Sequence, residues 1–155
     1  MAKKVLVTGA NGFVGSHVLE SVAKLNDVHV IAACRDQTKL PFGYTGEVRV
    51  GDLRDEQYIK AVVKDVDIIC HAAAWSSMWG HKADSQRLYL QPTLALIEHA
   101  RKAGVSRFIN TSTASANASP ISRPSVIGML LRPPATHGTR WVLSLGSNIG
   151  STPSA

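Results

Sequence analysis

Short apolar runs alternate with amphipathic stretches along the first two-thirds of the chain. Residues 13–25, 56–64 and 93–103 have the spacing of helices that bury one face. Strands that alternate with helices predict right-handed βαβ units, and therefore an α/β fold whose parallel sheet has helices on both sides. The predicted strands are short, apolar and rich in β-branched residues, and they lie at 4–8, 28–34, 47–50, 66–70 and 107–111.

The apolar residues of the first and last predicted helices recur at helical spacing, and we expect them to face the sheet. In the last helix they are Leu94, Ile97 and Ala100, and Gly104 follows at a position that ends a helix. In the first helix they are Val14, Val18, Leu19, Val22 and Leu25.

A glycine-rich loop joins the first predicted strand to the first predicted helix. Gly9 permits a tight turn, Gly12 lets backbone N–H groups approach a phosphate, and Gly15 allows close helix–sheet packing. The helix N-terminus adds unpaired N–H groups and the positive end of a dipole. A strand, this loop and a helix in that order predict a doubly wound, dinucleotide-binding fold of the Rossmann type, with the pyrophosphate at residues 9–15.

The composition changes abruptly near residue 114. All eleven acidic residues and all eight lysines lie between Lys3 and Lys102. The 42 residues from 114 to 155 hold three arginines, eight serines and five of the seven prolines. A globular segment of that length ordinarily carries about ten charged residues. We therefore expect a Rossmann domain at 1–113, with its sheet truncated at five strands, and an atypical tail at 114–155 that is irregular or disordered.

Charge and cysteine content exclude several other classes of protein. The net charge is +6, but the basic residues before the tail are scattered among acids, which favours a solvated surface over a nucleic-acid partner. No apolar run approaches the roughly 18 residues that span a membrane, so we expect a cytoplasmic protein. Cys34 and Cys70 have no partner at metal-ligand spacing, which predicts buried thiols and no metal site.

Four motifs occur together in the order and at the spacing of one enzyme family. They are the glycine loop with its glycines three apart, GDLRD at 51–55, DIICHAAA at 67–74 and AGVSRFINTSTAS at 103–115. Over residues 3–116 the chain resembles the extended short-chain dehydrogenase/reductases, the NAD-dependent epimerase/dehydratase family that includes dihydroflavonol reductase-like enzymes. The resemblance implies an NAD(P)-dependent oxidoreductase or epimerase that acts on a carbonyl or sugar-nucleotide substrate.

The resemblance also implies which residues border the cofactor. In such enzymes the carboxylate at Asp52 accepts from the adenine amine and the Leu53 backbone completes the contact, although a turn-forming role is the alternative for Asp52. Small side chains at 72–74 make room for the ribose. The cofactor-binding residues implied in this way are Gly9, Asn11, Gly12, Phe13, Val14, Gly15, Arg35, Lys39, Asp52, Leu53, Ala72, Ala73, Ala74 and Thr111.

Arg35 closes the second predicted strand, twenty residues after Gly15. At this position an acid binds the ribose of NAD, whereas an arginine binds the 2′-phosphate of NADP. The planar guanidinium of Arg35 suits that phosphate, and Lys39 adds charge nearby. Asp36 is the alternative, because its carboxylate suits a 2′-hydroxyl. We favour NADP over NAD.

The family's chemistry requires a Tyr-x-x-x-Lys pair, in which the lysine lowers the pKa of the tyrosine so that the phenol exchanges a proton with the substrate. Tyr44, Tyr58 and Tyr89 are the tyrosines of this chain, and none is followed four residues later by a lysine. The remaining catalytic member, a Ser or Thr after the fifth strand, aligns with Thr113, next to Ser112. Without a tyrosine partner, a plain threonine at the strand end is the alternative for Thr113.

Three further positions bear on the expected site. Tyr89 stands where the family usually has Asn, and Pro92 stands where it usually has Gly and would kink or start the helix. Trp75 and Trp79 lie in the loop where the family begins its substrate pocket, and either shape an apolar site or cover the loop. His71 ends the fourth predicted strand, where we expect a packed histidine rather than a ligand.

Two hypotheses about function follow. The first is an oxidoreductase or epimerase of the family described above. The second is a nucleotide-binding module without catalysis, because the acid–base pair is absent. A frameshift or rearrangement that replaced family sequence would explain the tail, and translating the coding DNA in its other frames tests this idea. Apolar surface left uncovered at the end of a five-stranded sheet would favour oligomerisation.

Overall fold

A computed structural model of the chain describes residues 2–75, 82–111, 129–132 and 142–144. The first half of the fold alternates strands and helices as the sequence predicts: β1 (Lys3–Thr8), α1 (Phe13–Ala23), β2 (Val28–Cys34), β3 (Glu47–Val50), α2 (Glu56–Val62) and β4 (Ile68–His71). The remaining elements are α3 (Lys82–Ser85), a π-helix (Gln86–Leu90), α4 (Gln91–Lys102), β5 (Arg107–Asn110), β6 (Met129–Arg132) and β7 (Val142–Ser144).

The strands form one sheet in the order β3-β2-β1-β4-β5-β6-β7. The four neighbouring pairs within β1 to β5 are all parallel. The strand order reverses at β1: β2 and β3 lie on one side of β1, whereas β4 and β5 lie on the other side. This confirms the predicted Rossmann-type sheet and places a ligand crevice where β1 and β4 end.

The sheet continues past the five strands that the sequence predicts. Met129–Arg132 pairs antiparallel with β5, and Val142–Ser144 pairs antiparallel with β6. The parallel sheet has the five strands that the sequence predicts, and these two short antiparallel segments extend it beyond β5. The apolar composition of both segments is the sequence feature that indicates a strand there.

Two apolar clusters hold the sheet between its helices. Alternate residues of each strand point to opposite faces, so that Leu6 of β1 packs with α2 and α4 while Val7 packs with α1. Phe108 is the largest fully buried side chain, and it lies in the first of these clusters. The two faces together bury nearly all of β1 except its first two residues.

Three helix residues expected to face the sheet are instead exposed: Val14, Leu25 and Leu94. Val14 lies in the first turn of α1, beyond the edge of the sheet. Leu25 follows the end of the helix at Ala23, so helical spacing no longer determines its direction. In α4 the buried side is formed by Pro92, Thr93, Leu96 and Ala100, which turns Leu94 outward.

A five-residue π-helix precedes α4, and Pro92 lies at the start of α4. Proline has no N–H to donate to the preceding turn, so a helix that passes through it must change its hydrogen-bonding pattern. The helical segment therefore begins before the predicted start at residue 93. Among the described residues no helix is both long enough and apolar enough to cross a membrane.

Candidate functional site

A cleft of about 680 Å³ opens at the carboxyl ends of the parallel strands. This volume is in the range of small-molecule and cofactor sites. Its lining joins parts of the chain that are far apart in sequence: the glycine loop, the ends of β2 and β3, the alanine loop after β4, and the start of α4. Of the predicted cofactor-binding residues, those that line the cleft are Gly9, Asn11, Gly12, Phe13, Val14, Arg35, Asp52, Leu53, Ala72, Ala73 and Ala74.

The glycine loop and the alanine loop pack directly against each other. Gly9 has a φ of +65°, which disfavours any residue with a side chain, and a Cβ at this position would lie 2.6 Å from the backbone nitrogen of Ala73. A Cβ at Gly15 would overlap the carbonyl group of Gly9. Gly15 does not line the cleft, and its lack of a side chain lets α1 approach the backbone of Gly9 and Ala10.

The N-terminus of α1 faces the cleft without a capping side chain. Gly12 is the N-cap, its side chain position offers no acceptor, and the first turn contains no acidic residue. The backbone N–H groups of the first turn of a helix have no intrahelical acceptor, so at this end of α1 they remain available to an anion. A Cβ at Gly12 would meet only the Gly9 carbonyl, at 3.2 Å, so the space on its other side is open.

The end of β2 presents a cation to the cleft and turns its acid away. The exposed guanidinium of Arg35 lines the cleft and makes no hydrogen bond or ion pair with the described residues. The Asp36 carboxylate accepts from the Thr38 backbone N–H at 3.0 Å and pairs with Lys39 at 3.4 Å. The Thr38 hydrogen bonds, followed by Lys39, hold the Asp36 pKa below its usual value. Lys39 and Asp36 do not line the cleft.

The end of β3 carries an ion pair that the sequence does not reveal. The Arg54 guanidinium donates from Nη2 to Asp52 Oδ2 at 2.6 Å and from Nε to both carboxylate oxygens at 3.0 Å. The Arg54 backbone N–H also donates to Asp52 Oδ1, at 2.9 Å. These hydrogen bonds from Arg54, and to a smaller degree the charge of Arg35, lower the Asp52 pKa. Asp52 is thus ionised, and its carboxylate is already occupied.

A buried histidine connects the floor of the cleft to α4. His71 Nδ1 lies 2.7 Å from the Thr8 hydroxyl, and Nε2 lies 3.0 Å from the Thr93 hydroxyl. The Thr8 hydroxyl in turn accepts from the Ala73 N–H at 3.5 Å. Burial lowers the His71 pKa to about 4, so the ring is neutral near pH 7. This confirms a packed histidine and adds that it links three elements around the cleft.

Two aromatic side chains, Trp75 and Tyr89, also contribute to the wall of the cleft. Tyr89 stacks against His71 with an interplanar angle of 15° and a centroid separation of 6.2 Å. Trp75, Tyr89 and Leu88 line this wall together with Pro92. The π-helix before Pro92 carries two of these residues, which sequence periodicity alone does not place in the cleft.

None of the tyrosines has the surroundings of a proton-transfer group. The Tyr58 hydroxyl donates to the Arg49 carbonyl at 2.6 Å, and burial raises the Tyr58 pKa to about 12. The Tyr44 hydroxyl donates to the Val30 carbonyl at 2.9 Å, and Tyr44 does not line the cleft. Tyr89 faces the cleft, but no lysine lies on the helical turn after it.

Besides Gly15 and Lys39, two more of the predicted site residues are not placed in the cleft. Thr111 follows β5, and its N–H donates to the His71 carbonyl at 2.9 Å rather than facing the cleft lining. Thr113 lies outside the described residues, as do Ser112 and Trp79. Within the described ranges, no group of three or more His, Cys, Asp or Glu residues is arranged to hold a metal ion.

Curated proteins with similar sequences include epimerases and sterol-converting enzymes. The chain is 29% identical over 145 residues to the UDP-glucose 4-epimerase of Streptomyces lividans, covering 89% of this chain and 44% of that protein. It is 31% identical over 115 residues to sterol demethylase protein B of Methylococcus capsulatus, covering 72% of this chain and 34% of that protein. The chain therefore spans less than half the length of these two relatives.

Solved structures with the same fold include a short-chain dehydrogenase/reductase and an epimerase. A short-chain dehydrogenase/reductase superfamily protein from Agrobacterium tumefaciens, with bound NAD, aligns with a TM-score of 0.63 and 28% identity over 74% of this chain and 34% of its own. The UDP-N-acetylglucosamine 4-epimerase of Bacillus cereus aligns with a TM-score of 0.64 and 26% identity over 78% of this chain and 44% of its own.

The sequence model of one family matches most of the chain. It is described as the NAD dependent epimerase/dehydratase family, and the match covers residues 5–135. The change in composition predicts a domain boundary at residue 113. The family match continues past this residue, and the boundary remains a prediction. The glycine loop, the parallel sheet and the cleft at its carboxyl edge all agree with this match. The chain belongs to the NAD dependent epimerase/dehydratase family, which has the fold of the short-chain dehydrogenase/reductase superfamily.

Proposed function

We propose that this protein binds NADP in the cleft at the carboxyl edge of its sheet, as the dinucleotide-binding part of an oxidoreductase or epimerase that acts on a carbonyl or sugar-nucleotide substrate. The observation that carries the proposal is that one cleft is lined by the glycine loop, Arg35, Asp52 and the alanine loop together. These are separate contributions from the ends of β1, β2, β3 and β4, and the family motifs supply all of them except Arg35.

The phosphate end of the cleft fits a pyrophosphate. The N-terminus of α1 has neither a capping side chain nor an acidic residue in its first turn. Its free N–H groups and dipole would therefore stabilise two adjacent phosphates. Phe13 and Val14 are exposed because they line this end of the cleft, and a bound dinucleotide would cover them.

The choice of NADP over NAD rests on the end of β2. Arg35 faces the cleft with an uncommitted guanidinium, whose planar donors match a phosphomonoester. Asp36, which would favour a 2′-hydroxyl, is occupied by Thr38 and Lys39 and lies outside the cleft lining. The Asp36 carboxylate, which would suit the ribose of NAD, is therefore held outside the cleft lining.

We further propose that these 155 residues bind the dinucleotide without transferring hydride. A bound nicotinamide would supply the hydride donor or acceptor, but a phenol and an ammonium group are needed to move the substrate proton. The sequence contains no Tyr-x-x-x-Lys pair, and the Tyr58 hydroxyl is engaged with a backbone carbonyl. Catalysis by this chain with Thr113 as the hydroxyl donor is the competing hypothesis.

A binding titration tests the proposed site. NADP⁺ and NAD⁺ are titrated into the full chain and followed by calorimetry, with one saturable site and tighter binding of NADP⁺ expected. The variant Gly12→Asp supplies a capping carboxylate that competes with the phosphate for the N–H groups of α1. We expect NADP⁺ affinity to fall by about tenfold or more. Because Gly12 has φ −86° and ψ 168°, an aspartate fits its backbone, and it is a favoured N-cap residue.

Phe42→Asp is the matched control, since it adds the same charge at a fully exposed loop residue that does not line the cleft. It should retain wild-type affinity. Equal loss in both variants, or no saturable binding by the wild-type chain, contradicts the proposed site. Tighter binding of NAD⁺ than NADP⁺ contradicts the role given to Arg35.

A turnover assay separates the two hypotheses about catalysis. The full chain is incubated with NADPH and a panel of ketones and aldehydes, and separately with NADP⁺ and UDP-sugars, whose alcohols can only donate hydride, and the absorbance of the reduced nicotinamide is followed. Saturable binding with no turnover supports a binding module. Hydride transfer that is lost in Thr113→Val would support the catalytic hypothesis instead.

A further inference from the structure

A second arginine lines the same cleft as Arg35. Arg54 lines the cleft together with Arg35 and Asp52, and no other charged side chain contributes to the described lining. Arg35 follows β2 and Arg54 follows β3, which are neighbours in the sheet, and both arginines act on Asp52, Arg54 through hydrogen bonds and Arg35 through its charge. Half of the Arg54 side chain is exposed, which leaves it accessible to a ligand.

Asp52 is committed to Arg54. Its two oxygens accept four contacts from Arg54: one from the backbone N–H, two from Nε and one from Nη2. A carboxylate offers about four lone-pair sites, so an adenine amine would have to displace one of these contacts. The carboxylate therefore acts chiefly on Arg54, by fixing the position of its guanidinium.

Arg54 retains donors after it has paired with Asp52. A guanidinium carries five N–H groups, and the pair uses Nε and one hydrogen of Nη2. The other Nη2 hydrogen and both hydrogens of Nη1 stay available. Because Asp52 already holds the side chain, ligand binding would immobilise fewer rotamers than for a free arginine.

The charges of the three side chains suit a phosphomonoester. Arg35 and Arg54 with the ionised Asp52 leave one net positive charge in the cleft lining. The Asp36–Lys39 pair nearby neutralises itself outside the cleft. A phosphomonoester carries about −1.5 to −2 near pH 7 and offers three acceptor oxygens, whereas a ribose hydroxyl brings no charge.

We propose that Arg54, held in position by Asp52, is the second arginine of a 2′-phosphate site whose first arginine is Arg35. Arg54 is then a specificity-determining residue that discriminates NADP from NAD, and Asp52 is a positioning residue. The inference rests on the proposed function and names which side chains recognise the phosphate.

The test measures the affinity of the full chain for 2′,5′-ADP and 5′-AMP, which share an adenosine 5′-phosphate and differ by the 2′-phosphate. Wild type is compared with Arg54→Gln, and Arg101→Gln is the matched control. Arg101 makes a similar two-point pair with Glu98, at 3.2 and 2.9 Å, but lies on α4 and does not line the cleft. Thermal unfolding monitored by circular dichroism checks that each variant is folded.

Arg54→Gln should weaken 2′,5′-ADP by about tenfold and change 5′-AMP by less than about twofold, because a charged hydrogen bond is lost for one ligand only. Arg101→Gln should leave both affinities unchanged. The inference is overturned if Arg54→Gln weakens both ligands equally or neither. Arg35→Gln keeps the two proposals distinguishable. If it abolishes the preference for 2′,5′-ADP while Arg54→Gln does not, the 2′-phosphate site stands without Arg54.

Discussion

The buried histidine beneath the cleft gives the fold a pH dependence that can be calculated. His71 is 2% exposed, and its ring nitrogens contact the hydroxyls of Thr8 and Thr93 rather than a carboxylate. Protonating the ring would place a charge in this interior with no opposite charge beside it. Burial therefore lowers the pKa of His71 to about 4.

The direction of the effect follows from the two pKa values. Above pH 6.5 the ring is neutral in the folded and the unfolded chain, and the full stability is present. As the pH falls towards 4, the unfolded chain takes up the proton while the folded chain does not, and the free energy of unfolding decreases. With an unfolded pKa of about 6.5, His71 alone accounts for a loss of roughly 2 kcal/mol between pH 7 and pH 5.

Urea denaturation at pH 7 and pH 5 measures this loss. The wild-type chain is compared with His71→Gln, which cannot titrate, and with His17→Gln, an exposed histidine of α1. Wild type and His17→Gln should each lose about 2 kcal/mol more than His71→Gln. Equal losses in all three proteins would show that His71 is not the source of the pH dependence. If His71→Gln is too unstable to measure, the His71 ring proton in a wild-type NMR titration should show a midpoint near 4.

Three further predictions concern packing in and beside the cleft. Gly15→Ala should lower the melting temperature more than Gly104→Ala does. The Cβ of an alanine at position 15 would overlap the Gly9 carbonyl, whereas at position 104 the space is open and an alanine is strained only by the φ of +79°. Arg49→Ala should cost about 1–3 kcal/mol in urea denaturation, because the guanidinium donates to two backbone carbonyls at 2.7 and 2.9 Å; a change below about 0.3 kcal/mol contradicts this. In an ultraviolet titration of tyrosines, a step with a midpoint near 12 should disappear in Tyr58→Phe, and its persistence in that variant would show that another tyrosine is responsible.

The sequence predicts the parallel part of the fold because its signals are local. The bounds of β2 and β3 agree with the apolar runs at 28–34 and 47–50. The glycine loop needs only the order of strand, loop and helix to be interpreted. The direction of Leu94 was not predictable in this way, because the buried side of α4 depends on how the helix rotates against β4 and β5.

The site was less accessible to sequence reasoning where it depends on contacts between elements. The resemblance implies that the Asp52 carboxylate contacts the adenine, with a turn-forming role as the alternative, and the turn that follows β3 brings Arg54 back onto this carboxylate. The link from Thr8 through His71 to Thr93 joins residues far apart in the chain, and no spacing rule relates them. An acidic or hydroxyl side chain at a strand end suggests that it makes a hydrogen bond or ion pair. The sequence does not show which residue is its partner, because that depends on how the elements pack.

If the N-terminus of α1 holds the phosphates of a nicotinamide dinucleotide, the backbone amides there must respond to the ligand. A ¹⁵N NMR titration of the full chain with NADP⁺ measures this response. The amides of Gly12, Phe13 and Val14 should move and saturate together, while those of Lys24 and Tyr44, which line a separate concavity at the other end of α1, should stay in place. Shifts confined to that second concavity, or no saturable shift at residues 12–14, would show that the dinucleotide phosphates do not bind at this helix end.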